Sequence, residues 1–178
     1  VGTCPIEIGY SGCCRGSALT NLTNPGSQGH YVWLQIWEYT PNNSSPEYLV
    51  PSYSIFDGQD VSYWSLTGAD PQGDSLAYSS DTIFSSYNVP VNYALGFGLS
   101  IPYGNNGAYT LDTRTGGWGV DPSGFIPLGD YANAIQVREY RDGILQSIGS
   151  RDFTLSRISA VGPTDAQPIL NTNLSPYQ

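Results

Sequence analysis

The chain of 178 residues has no methionine and no lysine. Its six basic residues are all arginines, set against 15 acidic ones, for a formal net charge of −9. So few cations, nowhere clustered, cannot neutralise a row of phosphates, which argues against nucleic acid as a partner. The same shortage argues against an anionic membrane surface. No apolar run reaches the roughly 18 residues of a membrane-spanning helix, so no membrane span is expected. Without Met the chain does not start at an initiator. A mature secreted product or a piece of something larger is expected, and no signal peptide is in view. His30 is the single histidine. A Ser-His-Asp hydrolase would have to use it, yet it opens a strand-like run and no G-x-S-x-G elbow accompanies it. No 3.6-residue amphipathic pattern lasts beyond two turns, so no helix of ordinary length is expected.

The residues that are abundant point one way. Tyr is 14, Gly 21 and Pro 13, while charged residues make up only 12%. Few charges among many Tyr, Ser, Thr, Asn and Gly suit an all-β extracellular protein with many turns. The clearest stretch is 131–157. Asp142-Gly143 divides two alternating runs, and such a pair favours a two-residue type I′ turn with positive φ at both positions. Ile135 and Val137 fall on one face, with Gln136, Arg138 and Tyr140 on the other. Phe153 and Leu155 alternate with Thr154 and Ser156 on the return. Gly149 predicts a bulge or bend. The charges Arg138, Glu139, Arg141, Arg151 and Asp152 are expected to pair across a solvated face.

Further strands are expected at 5–11, 30–40, 48–56 and 60–66, and around 92–95, 108–111 and 117–120. Strand 30–40 is apolar on both faces, which suits a central strand or one that meets another subunit. The sum is an antiparallel β-sandwich, either one domain or two small ones. PNNSSPEY (41–48) is the expected internal boundary. It gives an N-terminal β segment (1–45), a sandwich (46–158) and an extended tail (159–178) docked on a neighbour.

Cys4, Cys13 and Cys14 are the only cysteines. Their spacing is not that of a zinc site. A disulfide from Cys4 to Cys13 or Cys14 is expected, in an oxidising compartment, because adjacent cysteines bridge only with strain.

Four segments together resemble the secreted surface repeat proteins of Bacteroidetes associated with gliding motility and type IX secretion, with PKD- and cadherin-like domains. They are CCRGSALTNLTNPGSQGHYVWLQIWEY (13–39), PNNSSP (41–46), GADPQGDSLAYS (68–79) and VREYRDGILQSIGSRDF (137–153). They stand in the family's order. The resemblance implies an Ig/PKD/cadherin-like sandwich at or outside the cell surface, with an adhesive or structural role and no catalytic motif. Strands that precede the Cys-Cys segment in the family are absent here, which leaves an open sheet edge. A terminal segment of one copy is expected to pair along its neighbour there, building a head-to-tail filament or array. Asp74-Ser75-Leu76 and Asp81-Thr82-Ile83 resemble the family's O-glycosylation pattern, which makes Ser75 and Thr82 the acceptor candidates.

Two binding readings remain. Asp57, Asp60, Asp70 and Asp74 can supply the oxygens that calcium needs, and calcium is the single cofactor candidate. The Asp-Pro-Gln-Gly-Asp turn also resembles cadherin-like calcium loops. Trp33, Trp37, Trp64 and Trp118 are the aromatic candidates for stacking on sugar rings. That would make the chain a carbohydrate-binding module for surface glycans, the alternative to self-assembly. Paired carboxylates for glycoside hydrolysis are unspecific among 15 acidic residues, so no enzyme is expected.

Overall fold

A computed structural model of the protein describes residues 4–37, 43–58, 60–105, 107–122 and 124–159. Nearly all its regular structure is strand. The thirteen strands among the described residues are β1 (Ile6–Gly12), β2 (His30–Ile36), β3 (Glu47–Tyr48), β4 (Tyr53–Phe56), β5 (Ser62–Ser65), β6 (Gly68–Ala69), β7 (Ser75–Ser80), β8 (Phe84–Ser86), β9 (Val89–Pro90), β10 (Ala108–Leu111), β11 (Gly117–Asp121), β12 (Gly129–Arg141) and β13 (Ile144–Arg157). A 3-10 turn at Pro25–Ser27 is the sole helical element among the described residues.

The long hairpin β12–β13 is the frame. Asp142 (φ 51°) and Gly143 (φ 78°) form the expected tight turn between Arg141 and Ile144. β7 pairs with the outer side of β12. β13 takes two partners on its other side: β2, antiparallel, at Ser147–Gly149, and β4, parallel, at Thr154–Arg157. β1 then runs antiparallel along β2 from Ile6↔Ile36 to Gly12↔His30.

A second sheet, ordered β10-β11-β5, packs on one face of this frame and makes the sandwich. The alternation of β12 and β13 sends Tyr131, Ile135, Val137, Phe153 and Leu155 towards it. Trp118 of β11 is the centrepiece. It stacks on Tyr109 at 4.5 Å, meets Phe153 edge-on at 5.2 Å, and donates its indole N–H to Tyr103 Oη at 3.1 Å. Burying so large a ring is a major apolar contribution, and its one polar atom is satisfied. On the opposite face Leu19, Leu22, Ile83 and Val91 cover Ala132 and Ala134. Asn21, fully buried, pairs with the Ala132 backbone in both directions. Its amide thereby mimics a strand partner just beyond the end of β7.

Several expectations change. The 1–45 segment does not stand apart, because β2 is hydrogen-bonded into the frame through β13. Gly149 sits in regular register opposite Val137 and Leu34. The irregularity falls instead at Gln146, where Glu139 pairs with Ser147 but Tyr140 with Leu145. No strand forms at 92–95, where Tyr93 makes only an isolated bridge with Leu22. Residues 38–40 of the expected strand 30–40, 41–42 of the expected boundary and 160–178 of the expected tail lie outside the described residues.

Not all the hairpin charges lie on a solvated face; Arg138 and Arg141 are half-buried. Glu139 and Arg151 are buried, since they fall on the same alternation as Val137 and Phe153. Asp152 points to the other face and forms an ion pair with Arg15, with both side chains largely buried.

Candidate functional site

The face that carries the sandwich core extends past its cover. Val137, Gly149, Leu34 and Ile8 lie side by side in register across β12, β13, β2 and β1. Val137 is fully buried, while Ile8 is 58% exposed. Ile6 and Tyr10, its neighbours on the same face of β1, are also exposed. The result is an apolar groove of about 260 Å3, with Val137 and Gly149 at its floor and Ser45, Pro46 and Tyr48 along one wall. Glycine at 149 keeps the floor low, since a Cβ there would come within 3.4 Å of Leu34 Cδ1.

Arg151 secures the wall. Its guanidinium donates to the carbonyls of Val50 at 2.6 Å, Pro51 at 3.3 Å and Leu66 at 3.2 Å, and lies 4.4 Å from the centre of the Tyr48 ring. Burial lowers the Arg151 pKa and pushes the Tyr48 phenol up to about 12.

Next along β12 from the groove lies a carboxylate cluster. One oxygen each of Asp70, Asp74 and Glu139 lies within 4.8 Å of the others. Asp70 Oδ1 accepts the backbone N–H groups of Gln72 and Asp74, both at 2.9 Å, which folds the 70–74 loop. Asp74 is held by Arg141 through two hydrogen bonds of 2.7 and 2.8 Å, and these depress its pKa. Glu139 Oε2 accepts the Ser147 hydroxyl at 2.6 Å. Burial raises the Glu139 carboxyl to about 7, helped by its contact with Asp74 and by the charge of Asp70. Hydrogen bonds from Ser147 and Asn43 oppose that rise.

Asp70 and Asp74 of the predicted calcium set are thus brought together, but Asp57 and Asp60 are not. Asp57 follows Phe56, which pairs with Arg157, whereas Glu139 pairs with Ser147. Ten residues of β13 at about 3.3 Å each put roughly 30 Å between the two places. The third carboxylate of the cluster, outside the predicted set, is Glu139. Its signal was strict alternation: residues 135, 137 and 139 share one face, and a carboxylate among core residues needs a partner.

The cysteine expectation is overturned. Cys13 is bridged to Cys14, and Cys4 is free and exposed. The extended strand β1 lies between Cys4 and Cys13, and nine residues at about 3.3 Å hold them far beyond bridging distance. Trp118 is buried in the core and offers no free stacking face; Trp64 is half-buried and meets Phe56 in a T-shaped contact. Trp33 and Trp37 are half-buried. Ser75 is exposed at the start of β7 and donates to the Tyr140 carbonyl at 3.1 Å; Thr82 is half-buried.

No family model matches the chain, and no curated protein or solved structure matches it either. No helix among the described residues is long and apolar enough to cross a membrane.

Proposed function

We propose that this chain is a non-catalytic extracellular structural and adhesive module that assembles with copies of itself at a bacterial cell surface. The observation that supports the reading is the apolar face of β1, which the described residues leave exposed. Ile6, Ile8 and Tyr10 are 50%, 58% and 64% exposed on a strand that, among the described residues, pairs with β2 alone. Apolar side chains in a row beside unpaired backbone groups are a template for another strand. The occupant is a segment of a second copy. The sequence 160–178 carries Ile169, Leu170 and Leu174 between Pro168 and Pro176, with Tyr177 after them, and contains one charged residue, Asp165. That composition matches an apolar groove bordered by backbone donors and acceptors. A contact from one copy's terminus to another copy's β1 is head-to-tail, and it propagates unless it closes into a ring. The resemblance to Bacteroidetes surface repeat proteins supports the location and the role. The carbohydrate-binding alternative has lost Trp118, which is buried in the core.

Sedimentation and negative-stain microscopy test the reading on three proteins: full chain, Ile8→Asp, and a chain lacking 160–178. Ile8 is exposed, so its substitution should leave the fold intact. Assembly of the full chain alone is the expected result. A monomeric full chain at high concentration overturns it.

A further inference from the structure

Glu139 is 0% exposed, and the groups nearest its carboxyl include two more carboxylates. Its Oε1 is buried and has no hydrogen-bond partner, and the same holds for Oδ2 of Asp70. The described residues thus leave two buried acceptors without donors inside one cluster. A carboxyl within hydrogen-bonding reach of a carboxylate, as Glu139 is of Asp74, needs a proton or a cation between them.

Charge and size narrow the choice. Asp70, Asp74 and Glu139 carry three negative charges when ionised, and Arg141, paired with Asp74, returns one positive charge. The remainder is −2, the charge one divalent cation neutralises. Every donor is oxygen, which selects a hard cation. Calcium binds oxygens at about 2.3–2.6 Å, so two ligands on opposite sides of it stand roughly 4.6–5.2 Å apart; magnesium, at about 2.0–2.1 Å, allows only about 4.2 Å. The oxygens of the cluster all lie within 4.8 Å of one another, close enough for one calcium ion to bridge them.

We propose that Asp70, Asp74 and Glu139 form a calcium site that fastens the 70–74 loop to β12. Each carboxylate is already positioned by its other oxygen or by its partner: Asp70 Oδ1 by two backbone N–H groups, Glu139 Oε2 by Ser147, and Asp74 by Arg141. The orphaned oxygens supply the first ligands, and water fills the rest of the shell. The loop also holds the residue just before the groove wall, because Gln72 Oε1 accepts both the backbone N–H and the hydroxyl of Ser44. Calcium at this place therefore ties three segments together: 43–44, 70–74 and β12.

The test is calorimetric titration of EDTA-treated full chain with calcium chloride, with magnesium chloride in parallel. Calcium should bind more tightly than magnesium and raise the melting temperature as its concentration increases. Glu139→Gln should weaken calcium binding by more than the ~10–100-fold typical of outer-shell changes. Asp60→Asn, at an exposed residue outside the cluster, should leave it unchanged. If Glu139→Gln fails to fold, Asp70→Asn carries the same expectation. Two results overturn the proposal. One is no heat and no melting shift at calcium above the ~10⁻³ M limit of weak extracellular modules. The other is a Glu139→Gln protein that melts higher than wild type and responds to calcium as wild type does, which makes the cluster a proton site.

Discussion

Ser147 stands directly opposite Glu139 in the β12–β13 ladder and donates its hydroxyl to Glu139 Oε2 at 2.6 Å. One hydroxyl does not compensate a fully buried carboxylate, and the Glu139 pKa is pushed up to about 7 from an ordinary 4.5. The sign of the effect on stability follows. Between those two values the folded chain holds a proton that the unfolded chain releases. This contribution is complete at acid pH, declines as pH rises through the window, and is gone above about 7. Buried Asp152 and half-buried Asp81 are also raised by burial and act in the same direction. The informative readout is therefore a difference between proteins. In urea denaturation without calcium, wild type should lose stability relative to Glu139→Gln from about pH 5 to 7. Parallel profiles would contradict the buried placement of the ionised form.

Gly143 should not tolerate a β-branched residue. Its φ of 78° follows Asp142 at 51°, and a Cβ there meets nothing within 4 Å, so the cost is backbone conformation alone. Gly143→Val should lose about 1–3 kcal/mol in chemical denaturation. Gly143→Asn, which accepts positive φ more readily, should lose less. Equal losses would show that crowding, not φ, decides.

These two cases mark what the sequence made legible. Asp142-Gly143 announces its turn because the conformation is encoded in two adjacent residues. The faces of β12 and β13 are legible because a strand's side chains alternate, whatever their chemistry. Reading Glu139 and Arg151 as solvated gave charge precedence over alternation, and alternation won. Strain in a bridge between adjacent cysteines argues for a longer one, but extended β1 puts Cys4 out of reach, and Cys13 pairs with Cys14. The pair Arg15–Asp152 spans 137 residues and depends on how the N-terminal loop crosses the sheet, which no local pattern encodes.

That pair carries its own prediction. Both side chains are largely buried, at 7% and 16% exposure, and Arg15 also donates to the Phe84 carbonyl at 3.0 Å. Removing one partner strands the other charge in the interior. Arg15→Ala should cost about 3–5 kcal/mol, more than a surface ion pair could account for. The double variant Arg15→Ala with Asp152→Ala should be more stable than the sum of the two single losses predicts. A loss under about 1 kcal/mol in the single variant would show that the pair is screened by solvent.

Arg151 links the core to the groove, and its chemistry separates stability from assembly. Among the described residues its partners are three carbonyl oxygens and the Tyr48 ring. A planar fork with five donors can serve Val50, Pro51 and Leu66 at once, whereas an ammonium on a thinner stem cannot keep that geometry. Arg151→Lys keeps the charge but should give up at least one of these charge-assisted bonds, at a cost of about 1–3 kcal/mol. The released segment is 48–51, which carries Tyr48 of the groove wall. Limited proteolysis should therefore cut the variant near 48–51 before the rest of the fold opens, while wild type resists. If the groove receives a second copy, the same variant should assemble more weakly under conditions where its core remains folded. Matching the two proteins for distance from their melting temperatures removes the stability difference from that comparison. Equal assembly after such matching, with 48–51 cut early, would place the contact on β1 and β2 rather than on the wall. Equal protease resistance would show that the loop is held by its own packing and that Arg151 is not its anchor.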